Sequence, residues 1–188
     1  MGNESNKNVY LCSCGHHSVN SKLFFDNNRL YLCITDFPHD VSLYEQDDII
    51  RELVSLGIVN QLQKISGSLI SFCKKVNVGD YVIFGVRFSH FKTFVLCKVV
   101  GDYEYLEGET LCHSRKMKII IKDIPLAIFA DRSKIRLKTG VFRRIPNPYE
   151  IIITIKHYAE FLFKEGRIDK ATFDEVKSID VSVTNSNT

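Results

Sequence analysis

The sequence predicts an α+β fold, in which a strongly curved sheet or small barrel of roughly five or six strands carries flanking helices and a C-terminal helical pair. Short apolar or alternating runs between Gly, Asn, Asp and Pro residues predict the strands. Longer runs with helical periodicity, before and after the main group of strands, predict the helices. The chain has 188 residues, of which 45% are hydrophobic, so it is long enough for one domain with its own core.

The first part of the chain is predicted to contain a polar arm or hairpin, one strand and two helices. The arm or hairpin covers residues 1–28, and within it residues 1–20 show no regular periodicity. Residues 29–35 are a mostly apolar run, which predicts a strand. Residues 46–56 have apolar side chains at helical spacing and an acidic first turn, and residues 60–75 show a second helical pattern.

The rest of the chain predicts further strands and then the helical pair. The strands are expected at residues 81–86, 93–100, 116–122 and 140–145. Gly101-Asp102 is typical of a tight hairpin turn. Helices are expected at residues 150–165 and 170–177. The chain is thus divided into the arm, a sheet domain at residues 29–145, a helical extension packed on it at residues 146–180, and a disordered tail at residues 181–188.

Cysteine usage and the N-terminal residues predict a reducing, cytoplasmic setting. Four of the six cysteines lie singly within apolar segments, as reduced core cysteines do. No apolar run approaches the roughly 18 residues of a membrane helix, and the first residues lack the layout of a signal peptide. We therefore expect no disulfide framework and no membrane partner. We also expect no cofactor.

Basic charge is concentrated in the predicted sheet. Residues 87–144 carry 13 Lys or Arg and 6 Asp or Glu, whereas the segments on either side are weakly acidic. A local basic excess indicates a polyanionic partner more strongly than the overall net charge of +3 does. The alternative is a solvated basic face without a ligand.

Three phrases in the predicted sheet domain resemble a known superfamily. They are Val78-Gly79-Asp80-Tyr81-Val82-Ile83, Val99-Val100-Gly101-Asp102-Tyr103-Glu104-Tyr105 and His113-Ser114-Arg115-Lys116-Met117-Lys118. In order and spacing they resemble the PUA-like superfamily, which includes EVE, YTH and ASCH domains. The resemblance is closest to the modified-base-reading N-terminal domains of modification-dependent restriction proteins, and it covers roughly residues 29–145. The family phrase usually continues to a Trp, which this chain lacks, so an aromatic cage here would consist of Phe and Tyr.

The resemblance implies a nucleic-acid-binding module that recognises a modified, for example methylated, base flipped out of the stack into an aromatic pocket. In PUA-like domains the loop after the first strand walls this pocket, and the loop at residues 87–91 is a second candidate wall. Tyr103 and Tyr105 are two residues apart, so they share a strand face on which a base can stack. The pocket candidates are Asp36, Phe37, Tyr44, Phe88, Phe91, Asp102, Tyr103 and Tyr105. Packing in the core or sheet is the alternative for each of them.

The basic cluster beside the tyrosines is expected to contact the nucleic-acid backbone, because phosphate contacts supply affinity and register. Lys116 and Lys118 are expected on one strand face and Arg115 on the other. The backbone candidates are Arg87, His113, Arg115, Lys116, Lys118, Arg143 and Arg144, and a second basic series at residues 132–138 extends them. A solvated strand end is the alternative.

Metal binding and catalysis have little support in the sequence. Cys12, Cys14, His16 and His17 are weak zinc candidates, but their spacing is cramped, and a loose arm without metal is the favoured interpretation. The chain has no Gly-rich phosphate loop and none of the common hydrolase motifs, so we expect a protein that is not an enzyme.

Two other functions stay open beside the base reader. One is a structural or protein-interaction role, in which the sheet has lost its pocket and the C-terminal helices mediate homodimer formation or partner binding. The isoleucine-rich helix at residues 150–165 is apolar on much of its circumference, so it is either well buried or an interface. The other is RNA cleavage of the ASCH type. A concave aromatic pocket beside a basic strip favours the base reader, and a filled pocket favours the interaction protein. A His or Lys hydrogen-bonded to a second polar group in the pocket favours the enzyme. The sequence leaves open whether the ligand is DNA or RNA and which modification is recognised.

Overall fold

Within residues 7–13, 18–32, 37–88, 91–129 and 141–181, which this computed structural model describes, six strands form a strongly curved mixed sheet with the shape of a half-barrel. The strands are β1 (Val9–Ser13), β2 (Arg29–Tyr31), β3 (Tyr81–Phe88), β4 (Phe91–Tyr105), β5 (His113–Pro125) and β6 (Val141–Arg144). They lie in the order β2-β5-β4-β3-β1-β6, and the β1–β3 pair is parallel whereas the other pairs are antiparallel. The predicted α+β class with a curved sheet is confirmed.

Helices cover both faces of the sheet. They are α1 (Ser18–Asn27), α2 (Gln46–Ser55), α3 (Leu62–Ile70), α4 (Tyr149–Lys164) and α5 (Lys170–Lys177). Apolar side chains of α1, α2 and α3 pack with one set of strand residues, and those of α4 and α5 pack with the other set. The helices α2 and α3 and the C-terminal pair therefore form as predicted. The helix α1 lies where an arm or hairpin was expected, and that expectation is wrong for residues 18–27. In the described part of the chain, no helix is long and apolar enough to cross a membrane.

Strand alternation explains how one sheet supports two cores. On β3, Val82 and Phe84 belong to the core under α1, α2 and α3, whereas Tyr81 and Ile83 belong to the core under α4 and α5. Successive side chains of a strand point to opposite faces, so a strand buried on both faces has a continuous apolar sequence. Each face is stabilised by about 25 cal/mol per Å² of apolar surface removed from water.

The first strand, β1, lies inside the sheet between β3 and β6, where the sequence predicts only a loose arm. That expectation is wrong for this segment, because Val9 to Cys12 are all at most 2% exposed. The run is too short to show a periodicity and is flanked by polar residues, so its burial is hidden in the sequence. Asp80 fixes its start: the carboxylate accepts hydrogen bonds of 2.9 Å from the backbone N–H groups of Asn8 and Asn77.

The strand β4 continues through Gly101 and Asp102, so the hairpin turn predicted there is wrong. The pairing of β4 with β5 shifts register between Val99 and Tyr103, which marks a β-bulge. A Cβ atom on Gly101 would lie 2.9 Å from the Cβ of Lys116, so the close approach of the two strands requires glycine. A Gly-Asp pair suits a bulge as well as a turn, and composition alone does not separate the two.

The second predicted helix forms as α3 and then continues into a π-helical segment, Ser71–Lys75. Such segments are rare and often lie at functional sites. Here the backbone carbonyls of Phe72 and Cys73 accept hydrogen bonds of 2.8 and 3.0 Å from the Arg115 guanidinium. Arg115 of β5 therefore holds the π-helical segment against the sheet by hydrogen bonds.

Candidate aromatic site

Aromatic side chains from two distant parts of the chain meet at one end of the sheet. The loop between β2 and α2 supplies three of them and the end of the β4–β5 pair supplies the others: Phe37, His39, Tyr44, Tyr103, Tyr105 and His113. Ring centroids of neighbouring members lie 5.5–6.3 Å apart, a usual separation for aromatic pairs. We call this group the aromatic site.

The register of β4 against β5 explains why the strand residues of the site point the same way. Tyr105 lies opposite His113, and Tyr103 lies opposite Arg115. Residues two apart on a strand share a face, so these side chains all point to the face that carries α1, α2 and α3. Tyr103 and Tyr105 share a face as expected, and both rings contact the His113 ring.

The His113 ring has a fixed tautomer. Its Nε2 atom lies 2.9 Å from the backbone oxygen of Phe37, and because a carbonyl only accepts, Nε2 carries the proton. Its Nδ1 atom, which then has no proton, lies 2.9 Å from the Tyr103 hydroxyl and accepts a hydrogen bond from it. Burial lowers the pKa of His113 by more than the hydrogen bond to Phe37 and the charge of Asp40 raise it. The ring is thus neutral at pH 7.

The Tyr103 hydroxyl stands at the centre of a buried polar group. Burial raises its pKa, and the neighbouring Cys73 and Asp40 raise it further, while a hydrogen bond from the Val41 N–H acts in the opposite direction. Burial also raises the pKa of the Cys73 thiol to about 12, despite its hydrogen bond with Tyr103. Both groups therefore stay protonated at neutral pH, and Cys73 is not an activated nucleophile.

Asp40 supplies a negative charge at the edge of the site. Burial raises the pKa of this carboxyl group, but hydrogen bonds from the side chain and backbone of Ser42 act in the opposite direction and make the largest contribution to lowering it. The net result is a pKa below its ordinary value, so Asp40 is ionised at pH 7. The side chain is only half-buried, and it can accept a further hydrogen bond from a ligand.

The inner part of the site is filled, and the outer part is accessible. Phe37 is 0% exposed and His113 is 1% exposed. His39, Tyr44 and Tyr105 are half-buried and keep part of each ring in contact with solvent. The Tyr105 hydroxyl donates to the backbone oxygen of Pro38, which joins the loop to β4. A ligand would therefore meet the outer rings and Asp40 first.

The remaining pocket candidates do not join this group in the described residues. Asp102 is exposed at the bulge of β4 and is not a member of the aromatic site. Asp36 lies outside the described residues, as do the side chains of Phe88 and Phe91, although these two residues pair with each other at the ends of β3 and β4.

Arg115 does not have the surface position expected for a phosphate contact. It is 3% exposed, and its guanidinium binds the two carbonyls of the π-helical segment and lies 5.9 Å from the centroid of the Phe72 ring. Burial lowers the pKa of Arg115, although Cys73, Asp102, Tyr10 and Asp80 favour its charged form. The alternation of β5 puts Arg115 and His113 on the inner face of the sheet, where both side chains are buried.

Lys116 and Lys118 lie together on the opposite face of β5 and are exposed, which agrees with the predicted split from Arg115. Lys116 is 3.8 Å from Glu104, and Lys118 is 2.7 Å from Glu175 of α5. The aromatic site and these two lysines therefore face away from each other. A ligand in the aromatic site therefore does not contact Lys116 and Lys118 at the same time.

The other basic and metal candidates are scattered. On β6, Arg143 is half-buried and Arg144 is exposed, whereas the side chain of Arg87 and the series at residues 132–138 lie outside the described residues. Cys12 is buried in β1, and Cys14, His16 and His17 lie outside the described residues. No group of three or more His, Cys, Asp or Glu side chains suited to a metal ion occurs in the described part of the chain.

Sequence reasoning missed His39, Asp40 and Cys73. His39 stacks on Tyr44 at 5.9 Å and its Nε2 atom lies 3.2 Å from Glu52 Oε1. His39 and Asp40 could have been predicted, since they follow Phe37 in the loop after the first strand, which the resemblance places at the pocket wall. Cys73 gave no signal, because its place beside Tyr103 depends on the packing of the π-helical segment against the sheet.

The fold and the site define a class of α+β protein with an aromatic site at one end of a curved sheet. Comparison with protein-family models, with curated proteins and with solved structures finds no match.

Proposed function

We propose that the protein is a non-catalytic nucleic-acid-binding module that holds a flipped-out, modified base at the aromatic site. One observation carries the proposal. The rings of the loop after β2 and the rings of β4 and β5, which lie far apart in the sequence, meet around the Tyr103–His113 hydrogen bond and leave outer ring surfaces accessible.

The exposed ring surfaces suit a base. Tyr44 and Tyr105 are both half-buried, and a base stacked on such a ring gains about 1–3 kcal/mol. Extrusion of a base from a duplex costs a few kcal/mol, which stacking on two rings offsets. A methyl group buried in the same place adds about 0.8 kcal/mol, which is enough to favour a methylated base several-fold.

Asp40 favours a base with an exocyclic amine. Its ionised carboxylate accepts hydrogen bonds but does not donate them. Adenine and cytosine present amino donors, whereas thymine and uracil present carbonyl oxygens at the corresponding position. A singly methylated amine keeps one N–H, so the proposal includes both plain and N-methylated forms.

The backbone contacts of this proposal fall to lysines near the site. Lys74 and Lys75 follow Cys73 and are both exposed. The Lys74 ammonium lies 3.0 Å from Glu45, the residue after Tyr44, so it stands at the rim of the aromatic site. Lys116 and Lys118 lie on the other face, and the proposal assigns them no contact with the same phosphates.

Fluorescence anisotropy at fixed salt tests the proposal with short single- and double-stranded DNA and RNA, each with and without N6-methyladenine or 5-methylcytosine. Tighter binding of one modified probe, weakened roughly tenfold by Tyr44→Ala or Asp40→Asn, is the expected result. Tyr149→Ala, which truncates an exposed tyrosine on α4, is the matched control. Equal binding of all probes contradicts base recognition, and no binding contradicts the nucleic-acid proposal.

A structural or interaction role is the second candidate, because Phe37 and His113 fill the inner part of the site. It also draws on α4, where Phe161 is 51% exposed and stacks with Tyr158 at 6.3 Å. Sedimentation of the protein and of Phe161→Ser tests it: a dimer that the substitution dissociates supports this candidate. The His113–Tyr103 hydrogen bond meets the criterion stated above for RNA cleavage. That function still has less support, since both His113 ring nitrogens are occupied, the ring is buried, and the Cys73 pKa is raised to about 12.

A further inference from the structure

The strand β5 has an edge that is only partly paired. β5 contains 13 residues, whereas its neighbour β2 contains 3. β2 pairs with residues 114–116, and the Asn28 oxygen then accepts a hydrogen bond of 2.8 Å from the Met117 N–H. From Lys118 onward, no strand within the described residues pairs with this edge. Among the described residues, a row of backbone N–H and C=O groups is thus left open there for another strand.

A groove runs along the same edge. Its volume is 660 Å³, and residues 117–123 of β5 form its floor. Asn28, the residue before β2, closes one end of the groove. Leu162 of α4 and Arg167 and Ile168 of the turn that follows α4 form one wall. A segment in this groove would continue the line of β2 along β5. The open backbone edge and the groove therefore coincide.

The side chains of the groove combine apolar and basic character. Among the described residues that line the groove, Ile119, Ile121, Leu162 and Ile168 are apolar and Lys118, Lys122 and Arg167 are basic. The one acidic residue in this set is Asp123. Lys118 shares Glu175 with Lys98, at 2.7 and 3.9 Å. The Lys122 ammonium lies over the Phe25 ring, 5.3 Å from its centroid, and the described residues give Lys122 and Arg167 no ion pair.

We infer that this edge binds an extended acidic segment of a partner protein, which adds to the sheet as a strand beside β5. Main-chain hydrogen bonds would supply affinity, and alternate side chains would supply specificity. Acidic residues of the segment face Lys118, Lys122 and Arg167, and apolar residues between them cover the isoleucines. The inference does not depend on base binding, because the groove and the aromatic site share no residue.

Charge argues against a second copy of this chain as the occupant. A symmetric antiparallel pair of β5 edges centred on Ile120 places Lys118 of each copy opposite Lys122 of the other. Like charges directly opposite each other destabilise a strand pair. Edge lysines are a common device against self-association, and they leave the edge open to an acidic strand. The positive φ of 54° at Asp123 interrupts the extended backbone, which limits the edge to residues 118–122.

The test uses a fluorescein-labelled peptide of alternating Glu and Val and measures anisotropy with the full chain. A peptide of alternating Lys and Val checks charge. A Glu–Val peptide with alternate backbone nitrogens methylated checks strand pairing, because it lacks the N–H donors. We expect binding of the first peptide, weakening with salt, and roughly tenfold or more weaker binding of the other two.

Two variants assign the binding to the groove. Lys122→Glu combined with Arg167→Glu reverses two groove charges without removing the Glu175 contact, and we expect roughly tenfold weaker peptide binding. Lys64→Glu combined with Lys177→Glu is the matched control, since Lys177 also lies over a ring, that of Phe173. Hydrogen exchange of residues 118–122 is expected to slow on addition of the Glu–Val peptide.

Each alternative occupant gives a result that overturns the inference. If the Glu–Val peptide and its N-methylated form bind with equal affinity, strand pairing is contradicted. If the groove variant and its control bind the Glu–Val peptide equally well, the groove is not the binding site. If the Glu–Val peptide does not bind at all, the inference that this edge binds an acidic segment is wrong. A loss of oligonucleotide binding in Lys122→Glu with Arg167→Glu, with peptide binding intact, assigns the groove to nucleic acid. A dimer in sedimentation that these two substitutions strengthen assigns it to a second copy.

Discussion

The Tyr103 hydroxyl and the His113 ring are joined by a hydrogen bond of 2.9 Å between Oη and Nδ1. Because the Nε2 proton of His113 is committed to the Phe37 oxygen, Nδ1 has no proton of its own and requires a donor. The bond thus links the loop after β2, through His113, to β4. It holds the two halves of the aromatic site together.

Removal of this donor is expected to destabilise the protein. Tyr103→Phe keeps the ring but leaves His113 Nδ1 buried without a partner, which costs about 1–3 kcal/mol of unfolding free energy. Urea denaturation measures the change. Tyr149→Phe, at an exposed tyrosine, serves as the control and should change the stability by less than about 0.5 kcal/mol. Equal effects of the two substitutions would show that the Tyr103–His113 bond contributes nothing.

The same histidine predicts a pH dependence of stability. Burial holds the pKa of folded His113 below the ordinary value of 6.5. The unfolded chain therefore binds a proton first as the pH falls. The stabilisation is complete above 6.5 and declines below it until the pH passes the folded pKa, with a slope of at most about 1.4 kcal/mol per pH unit.

Unfolding free energies between about pH 7.5 and 5 check this expectation, because that range begins above the unfolded pKa. His113→Gln should lose part of the decline even though it is less stable throughout. His157→Gln, at an exposed histidine on α4, should retain all of it. An undiminished decline in His113→Gln would assign the pH dependence to other groups.

Two Gly-Asp pairs that look alike in the sequence differ in the structure, and they give the next prediction. Asp80 is buried and accepts two backbone hydrogen bonds, one of which fixes the start of β1. Asp102 is exposed at the bulge. Asp80→Asn turns an amide NH₂ group towards one of the two N–H donors, and it is expected to cost about 1–3 kcal/mol.

Asp102→Asn is the matched control. It also removes a carboxylate charge that favours ionised Arg115, but among the described residues it breaks no backbone hydrogen bond, so we expect a smaller loss than in Asp80→Asn. Chemical denaturation of both variants gives the comparison. Hydrogen exchange adds a local readout, since the loss of the Asp80 bond should increase exchange in β1 more than in α5. Similar losses in the two variants would argue against a special role of Asp80.

The parts of the fold that the sequence predicts are those with a long periodic pattern. The continuous apolar run of β3 and the helical spacing of α2 and α4 each extend over enough residues to indicate the element type. Tyr103 and Tyr105 were placed on one face by the same rule. The strand β1 was missed because its apolar run is short, and a central position in the sheet depends on partners far away in sequence.

The sequence predicts which residue types form the candidate site, but not how deeply each side chain is buried. The resemblance selects Phe37 and Tyr44 in and beside the loop after the first strand, and strand alternation selects Tyr105 beside Tyr103; these residues do lie together. Arg115 was expected at the surface because it is flanked by His113 and Lys116 in a basic phrase. Its burial depends on the π-helical segment, whose free carbonyls accept the guanidinium donors and offset part of the cost of burying the charge. No local pattern encodes that contact.

Opposite effects of one chemical change at two glycines form the last prediction. A Cβ on Gly101 would lie 2.9 Å from the Lys116 Cβ, an atom fixed to the backbone, so the strands must move apart at the bulge. Gly101→Ala is expected to lower the unfolding free energy by about 1–3 kcal/mol.

Gly67 lies inside α3 with no atom within 4 Å of an added Cβ. Gly67→Ala should instead raise the unfolding free energy by about 0.5–1 kcal/mol, because alanine restricts the unfolded chain and favours the helix. Thermal and urea unfolding of the two variants give the signs, and a stabilising Gly101→Ala would mean that β4 and β5 are not in close contact at this bulge.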